Sequence, residues 1–332
     1  MSATQRRHAL GAVLIALASA LFFTSTYVLN RAMANAGGYW AWSASLRYLL
    51  TLPMLALVLP WRGGWRPVWS ALRAHPWTWL GWSGIGFGLF CICLTWAAAF
   101  APAWLVAGTF QLTVIAGMLL APLLYRDERA RLPRAALALG VVIVAGVALM
   151  QGAHFHGHLG RDAWLALASV ALSAFLYPLG NRAILLHLER SGEVLNATQR
   201  VFGMTLASQP FWWIVAAGAG QVAGVPPLQQ IGLAAGVALL TGTIATILFF
   251  QATAMVQDDP AALGAVEAMQ AAELLFSSAL GVAFLGEAPP QGAAALGALL
   301  VVAGIIGLGL LVGRTAAGSA RAAQALRSDR GA

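Results

Sequence analysis

The chain has 332 residues, of which 60% are hydrophobic and only 9% are charged. A soluble domain carries roughly 25% charged residues, so the composition excludes an ordinary water-soluble protein. The formal net charge of +8 does not indicate nucleic-acid binding, because the basic residues are all arginine and form no stripe with interleaved aromatics. They lie mainly between long apolar runs, which is the pattern of a membrane protein.

Ten apolar runs have the length of about 20 residues that is needed to cross a bilayer. They predict an all-α integral membrane protein with spans near 9–29, 39–60, 77–99, 102–125, 133–151, 163–186, 199–219, 229–252, 260–285 and 291–313. The first run follows Arg6 and Arg7, as the core of a signal peptide would. Its length and the nine similar runs after it favour a retained span over a cleaved peptide.

The arginines predict the orientation of the chain in the membrane. If the N-terminus is cytoplasmic, sixteen arginines belong to the inner side, and only Arg31 and Arg161 lie in outer loops. Positive residues concentrate on the cytoplasmic side of membrane proteins. We therefore expect a multi-pass protein of the plasma (cytoplasmic or inner) membrane, with both termini in the cytoplasm.

The two halves of the sequence resemble each other. Residues 101–103 (APA) match 259–261 (DPA), and residues 144–147 (VAGV) match 302–305 (VAGI); the offset is 158 in both cases (259 minus 101, 302 minus 144). The repeat unit is then five spans, and an odd number gives the second copy the opposite topology. We expect a first repeat at 1–151, an outside loop at 152–162, a second repeat at 163–313 and a cytoplasmic tail at 314–332.

Three charged residues, Arg47, Glu267 and Glu273, lie well within the predicted spans, where charge is costly and often functional. Glu267, Gln270 and Glu273 share one face of the ninth span at helical spacing. From the outer side, Arg47 lies at a depth of ~12 Å, Glu273 at ~18 Å and Glu267 at ~27 Å, by the rise of about 1.5 Å per residue. Arg47 is thus expected to pair with Glu273.

That pairing would leave Glu267 without a fixed counter-ion. A desolvated carboxylate holds its proton more tightly and can exchange it for a cation, which is the simplest device for proton antiport. Glu267 is therefore the predicted coupling residue, with Glu273 and Arg47 as a charge-balancing pair. The alternative is structural: an arginine between two acids that fixes the register of the helices.

Weaker candidates are polar or aromatic residues that could line a central cavity: Gln111, Gln270, Trp104, Tyr177 and Asn181. Amides can also join helices, and aromatic rings can simply pack. His154, His156 and His158 alternate in an outer loop without nearby carboxylates, so we predict no metal site there. Cys91 and Cys93 are interpreted as packing residues. No phosphate loop or nucleophile motif indicates an enzyme or a cofactor.

Several segments resemble the drug/metabolite transporter superfamily of EamA-like ten-helix carriers. More specifically, they resemble its putative multidrug-resistance efflux transporter family. The resemblance runs nearly end to end, and it rests on YPLGNR at 177–182, QRVFGMT at 199–205, WLVAGTFQ at 104–111, GFGLF at 86–90 and VEAMQ at 266–270. It implies export of organic compounds. It also implies that the segments Glu267–Gln270 and Tyr177–Arg182 are signature positions.

Together these observations predict a secondary transporter, not an enzyme, that exports small organic compounds, cationic or amphipathic, in exchange for protons by alternating access. The alternative is an uncoupled or proton-coupled exporter of amino acids or other metabolites; a structural or sensory membrane protein is a third possibility. The expected partners are a small-molecule substrate, protons and membrane lipid, with no nucleic acid. A monomer and a homodimer both remain open.

Overall fold

A computed structural model describes residues 3–100, 103–131, 134–152, 161–285, 289 and 291–328. The regular elements in these ranges are all helices. Ten long helical segments follow in chain order: helix 1 (Ala3–Asn35), helix 2 (Trp40–Arg62), helix 3 (76–100), helix 4 (103–124), helix 5 (Arg134–Gly152), helix 6 (Arg161–Ser191), helix 7 (197–223), helix 8 (Leu228–Met255), helix 9 (260–285) and helix 10 (Ala293–Ser328). The predicted outside loop with its three histidines lies mostly outside the described residues.

Seven of these segments, as far as the chain is described, are long and apolar enough to cross a membrane: helices 2 to 6, 8 and 10. Helix 1 contributes a shorter apolar stretch, Leu10–Thr26. The prediction of an all-helical membrane protein is confirmed in this coarse form. The ten predicted spans are not all matched, since helices 1, 7 and 9 are not among the seven.

The predicted span at 199–219 is divided at Ser208 into Ala197–Ala207 and Gln209–Ala223. Pro210 follows directly and lacks the backbone N–H that would continue the hydrogen-bond ladder. The hydroxyl of Ser208 and the amide of Gln209 both donate to the carbonyl of Thr205. Helix 9 is interrupted by a 3-10 turn at Met269–Ala271. A short helix that was not predicted, Arg66–Ala74, joins helices 2 and 3.

Irregular turns occur at matching places in the two halves. Helix 3 contains a π-helical segment at Gly84–Leu89, and helix 8 contains one at Ala238–Ala245. In helix 8, the hydroxyls of Thr243 and Thr246 donate to carbonyls five residues earlier, at 3.0 and 2.8 Å. Such side-chain bonds satisfy the backbone where the regular ladder loosens. Helix 4 turns tightly at 111–112, just as helix 9 does at 269–271.

Helices 1 and 6, the first of the five in each half, each pack mainly on helices of the other half. Helix 1 packs on helices 8 and 9, and helix 6 packs on helices 3 and 4. Helices 2 and 7 contact each other, as do helices 4 and 9, and helices 5 and 10. Two large hydrophobic clusters result among the described residues. One is built mainly from helices 4, 5, 9 and 10, and the other mainly from helices 2, 3, 6, 7 and 8. Each cluster therefore draws on both halves of the chain.

Glycines permit the closest crossings. A Cβ on Gly180 of helix 6 would lie 2.4 Å from Cα of Gly86 in helix 3. A Cβ on Gly297 of helix 10 would lie 2.4 Å from the carbonyl oxygen of Gly146 in helix 5. Small residues at crossings let membrane helices approach at backbone distance. These two contacts hold together helices from opposite halves.

Candidate functional site

A cavity of about 690 Å³ lies between eight of the helices; helices 5 and 10 do not line it. It runs from the loop between helices 1 and 2, at Gly37, Gly38 and Tyr39, to Gln270 and Thr246 in the middle of the bundle. Ala223, at the end of helix 7, lies at the same mouth. The volume is in the range of about 300–1,000 Å³ that is typical of sites for small organic ligands.

The wall of the cavity is largely aromatic. Tyr48 stacks on Trp212 with the ring centroids 4.4 Å apart, and Tyr177 packs on Phe90 at 4.9 Å and on Phe249 at 5.6 Å. Rings held by neighbouring rings form a rigid apolar surface, and they also offer π faces to cationic groups. Tyr177 is one of the predicted site residues, and the structure places it on this wall.

Three other predicted residues, Arg47, Gln270 and Glu273, also line the cavity, and all three are at least nine-tenths buried. The side-chain amide nitrogen of Gln270 has no hydrogen-bond partner within the described chain. Glu273 lies on helix 9 two turns beyond Glu267, on the side nearer the mouth. Within the described lining, the cavity therefore presents one guanidinium, one carboxylate and the side-chain amides of Asn30 and Gln270 among aromatic rings.

The expected pairing of Arg47 with Glu273 is wrong. In the described part of the chain, no ion pair joins the two side chains within 4.0 Å, and no hydrogen bond reaches the Arg47 guanidinium. Its Nε atom is buried without a partner, and its guanidinium carbon lies 5.7 Å from the centre of the Tyr48 ring. The two charges instead occupy separate positions on the cavity wall.

Glu267 has a counter-ion, contrary to expectation. Nε and Nη2 of Arg182 on helix 6 donate to its two carboxylate oxygens, both at 2.8 Å. The exposed fractions are 0% for the Arg182 side chain and 2% for that of Glu267. Glu267 does not line the cavity but lies about one turn below Gln270. Its carboxylate lies over Gly117 of helix 4, where a Cβ would come within 1.7 Å of Oε2.

Further contacts close the bundle at the level of this ion pair. Asn181, another predicted residue, lies outside the cavity lining and donates from Nδ2 to the hydroxyl of Thr253 at 3.4 Å. The guanidinium of Arg200 on helix 7 donates to the carbonyl of Phe250 on helix 8. These bonds join helices 6, 7 and 8 on the side of the cavity opposite to its mouth.

A second layer of charge lies beyond the buried pair, at the end of the bundle. Arg129, in the loop after helix 4, bonds to Asp127 at 2.6 Å and to Glu189 at the end of helix 6 at 2.8 Å, and it lies 4.0 Å from Asp258 before helix 9. The hydrogen bonds from Arg129 lower the pKa of the Asp127 carboxyl, and those to Glu189 and Asp127 raise the pKa of Arg129. The network joins three helix ends, though exposed pairs of this kind are individually weak.

The remaining predicted residues are Gln111 and Trp104. Gln111 is 1% exposed, and neither of its amide atoms has a partner among the described residues, but it does not line the cavity. The side chain of Trp104 is not among those that the structure describes. Arg182, in contrast, was counted from sequence among the cytoplasmic charges and within the segment YPLGNR at 177–182, and no partner was predicted for it. A signal was present: NRA occurs at 30–32 in helix 1 and again at 181–183 in helix 6.

Comparisons with known proteins agree with the fold. The family described as EmrE, "Putative multidrug resistance efflux transporter", matches residues 10–313. The uncharacterized protein YjlA of Bacillus subtilis (strain 168) is 41% identical over 304 residues, covering 89% of this chain and 93% of its own. An uncharacterized 42.1 kDa protein of Shouchella clausii is 40% identical over 255 residues, covering 75% of this chain and 66% of its own.

A crystal structure with 18% sequence identity superposes with a TM-score of 0.67 over 91% of this chain and 99% of the other. At this identity the likeness concerns the fold alone. The family match spans most of the chain and includes helices 2 to 9 completely. The chain therefore belongs to the EmrE family of multidrug resistance efflux transporters in the drug/metabolite transporter superfamily.

Proposed function

We propose that the protein exports small organic molecules through the cavity between its helices, by alternating access, and that protons drive the export. Family membership supports small-molecule efflux in general. The observation that carries the mechanism is the asymmetry of the bundle. A cavity lined by aromatic rings and charges reaches one end, and a buried ion pair with a surface charge network closes the other end.

Alternating access requires two related halves, and we assign them as two five-helix repeats of opposite topology. The matched π-helical segments, the matched tight turns and the matched helix contacts support this assignment. The NRA motif supports it further, because Asn30 lines the cavity on the side of its mouth, whereas Arg182 lies in the closed region. An inverted repeat predicts that the two copies of this motif lie at opposite depths in the bundle.

The mouth of the cavity is assigned to the outer side of the membrane. The arginine bias places both termini and the Arg129 network in the cytoplasm, and the loop between helices 1 and 2 then lies outside. The described conformation is accordingly outward-facing. Its inner gate consists of Arg182 with Glu267 and, nearer the cytoplasm, Arg129 with its acidic partners. To face inward, the protein must separate these pairs while the mouth closes.

Proton coupling is assigned to Glu273 in this conformation. Glu267 is bound to Arg182, so it is not the carboxylate that first meets a cationic group in the cavity. Glu273 lines the cavity and faces the aromatic wall. A carboxylate at this position binds either a proton or the cationic group of an amphipathic substrate, but not both. Because the two compete for the same site, proton flux and substrate flux are coupled. Glu267 takes part later, when the inner gate opens.

The test is transport by the purified protein in liposomes. We expect an acid-interior pH gradient to drive accumulation of at least one of three labelled probes: a quaternary ammonium, an amphipathic amine and an aromatic amino acid. The Glu273→Gln variant should lose this pH-driven accumulation by at least tenfold. Asp162→Asn, at the exposed start of helix 6, is the matched control and should keep it.

Three outcomes separate the alternatives. The absence of flux of every probe, relative to protein-free liposomes, would contradict a transporter. Flux that does not respond to the pH gradient and survives Glu273→Gln would indicate an uncoupled metabolite exporter. Gradient-driven flux that survives Glu273→Gln but is lost in Glu267→Gln would return the coupling role to Glu267.

A further inference from the structure

A second cavity, of about 540 Å³, lies between helices 3, 4 and 6 at the end of the bundle that the ion pairs close. Among the described residues it shares no part of its lining with the central cavity, so the transport path proposed above does not use it. Leu123, on its wall, is 79% exposed in the last turn of a membrane-spanning helix. Membrane lipid can therefore reach this cavity from the side.

The lining of the second cavity changes from apolar to basic along helix 6. Ala183 and Leu186 line its deeper part, whereas Arg190 lies in the last turn of the helix. Ala183 and Arg190 are ~10 Å apart along the helix axis, by the rise of about 1.5 Å per residue. On helix 3, Trp82 lies one turn deeper than Thr78. A molecule with an apolar tail and a charged head would match this gradient.

Two arginines from different elements form the basic end of the cavity. Arg126 lies in the loop after helix 4 and Arg190 at the end of helix 6; both are exposed, and neither forms an ion pair within 4.0 Å in the described chain. Their neighbours Asp127 and Glu189 are both bound by Arg129. Glu189 is within electrostatic range of Arg190, but it does not line the cavity. The described lining therefore offers two positive charges and no carboxylate.

A buried polar atom lies on the same wall. Nε2 of His187 is buried and has no hydrogen-bond partner in the described chain, although the residue lines the cavity. The ring of His187 packs edge-on against that of His75, with the centroids 4.7 Å apart. Glu193 is within electrostatic range of His187 but does not line the cavity. Buried polar atoms are normally hydrogen-bonded, and an N–H at this position can donate to an oxygen of an anionic group.

We propose that this cavity binds an anionic phospholipid of the cytoplasmic leaflet. The phosphate lies between Arg126 and Arg190, and an acyl chain passes Leu123 into the bilayer. Basic pockets between membrane helices suit such headgroups, because the phosphate meets fixed positive charge while the acyl chains stay in the apolar region. The choice of leaflet rests on the orientation assigned under the proposed function, whereas the binding does not require transport.

The bound lipid strengthens the closed end of the bundle. Its phosphate bridges the loop after helix 4 and the end of helix 6, which are the two elements that Arg129 already joins through Glu189. A ligand that binds the folded protein, and not the unfolded chain, raises its stability. An anionic lipid should therefore raise the unfolding temperature of the protein, and a lipid without net charge should not.

Two lipids with the same acyl chains test this: dioleoyl phosphatidylglycerol and dioleoyl phosphatidylcholine. Binding to the purified full-length protein in a neutral detergent is measured by native mass spectrometry and by thermal shift. We expect phosphatidylglycerol to be retained at least about tenfold better, because each of two arginines contributes to binding of the anionic headgroup. Arg126→Gln with Arg190→Gln should abolish this preference and the thermal shift.

Two further double variants separate the site from the general positive charge of the protein. Arg126→Lys with Arg190→Lys keeps both charges and should keep most of the preference. Arg66→Gln with Arg134→Gln removes two exposed arginines on the same predicted side but outside the cavity, and it should leave the preference unchanged. Inorganic phosphate and glycerol 3-phosphate, added as competitors, should not displace the lipid.

The inference is overturned if the two lipids bind alike, if the glutamine variant of Arg126 and Arg190 keeps the preference, or if the variant of Arg66 and Arg134 loses it equally. Displacement of the lipid by inorganic phosphate would assign the site to a soluble anion and would also overturn it. The proposed function fails separately, because the liposome assay measures transport and these experiments measure lipid binding.

Discussion

Glu267 and Arg182 form an ion pair in the interior of the described bundle, and each depends on the other. Both are almost fully buried, and the pair is joined by two hydrogen bonds of 2.8 Å. The desolvation of two charges offsets much of their attraction, so an intact pair adds little net stability. Removing one partner is different, because it leaves a single charge without compensation.

The first prediction concerns this pair. Glu267→Gln should lower the free energy of unfolding by about 3–5 kcal/mol, because Arg182 stays buried and charged. Replacing both residues by apolar ones, Arg182→Met with Glu267→Leu, should recover most of that loss. Thermal unfolding in detergent, with a tryptophan signal, measures both. The exposed Asp162→Asn is the control. Equal stability of Glu267→Gln and the unmodified protein would argue against a buried pair.

Sequence reasoning found residues that line the cavity but assigned their partners wrongly. Arg47, Gln270, Glu273 and Tyr177 were predicted from polarity within apolar runs, and the structure brings all four to one cavity. Their roles remain predictions. The partner of Glu267 could not be found this way, because depth along two helices does not tell which helices touch. Arg182 is 85 residues away from Glu267 along the chain.

At the scale of the helices, the irregular turns are the parts that hydropathy could not predict. Each π-helical segment, Gly84–Leu89 and Ala238–Ala245, lies inside a continuous apolar run, so its composition resembles that of a regular helix. Pro210 indicated the break in helix 7, but the apolar residues on both sides suggested one span. The glycines of helices 3 and 6 were visible in the sequence, whereas their mutual contact was not.

The second prediction concerns that contact. Gly180→Ala should lower the free energy of unfolding by about 1–3 kcal/mol, because the new Cβ would come within 2.4 Å of backbone in helix 3 and the helices must separate. Gly218→Ala, in helix 7, is the matched control, since nothing lies within 4 Å of its Cβ position. Thermal unfolding of the two variants is compared. A Gly180→Ala protein as stable as the control would contradict the close crossing.

At the scale of the whole molecule, the two halves of the sequence do not form two separate cores. Each large hydrophobic cluster combines helices from both halves, so neither half can bury its apolar surface alone. The repeat that was predicted from short matches at 158 residues concerns topology and stays a prediction. The interleaving of the halves could not be read from the sequence, because it depends on which helices pack across the repeat boundary.

The final prediction concerns the side of the membrane from which the cavity and the closed end of the bundle can be reached. In a background of Cys91→Ala and Cys93→Ala, Thr95→Cys on the cavity wall should react with a membrane-impermeant maleimide from the outer side. Thr253→Cys, which replaces a fully buried residue beside Asn181, should react from neither side.

The same labelling tests the gating role of the buried ion pair. In the double variant Arg182→Met with Glu267→Leu, the inner gate no longer contains this ion pair. Thr253→Cys should then become reactive from the cytoplasm at least threefold faster. Labelling of Thr95→Cys only from the cytoplasm would reverse the assigned orientation, and an unreactive Thr253→Cys in the double variant would remove the gating role from the pair.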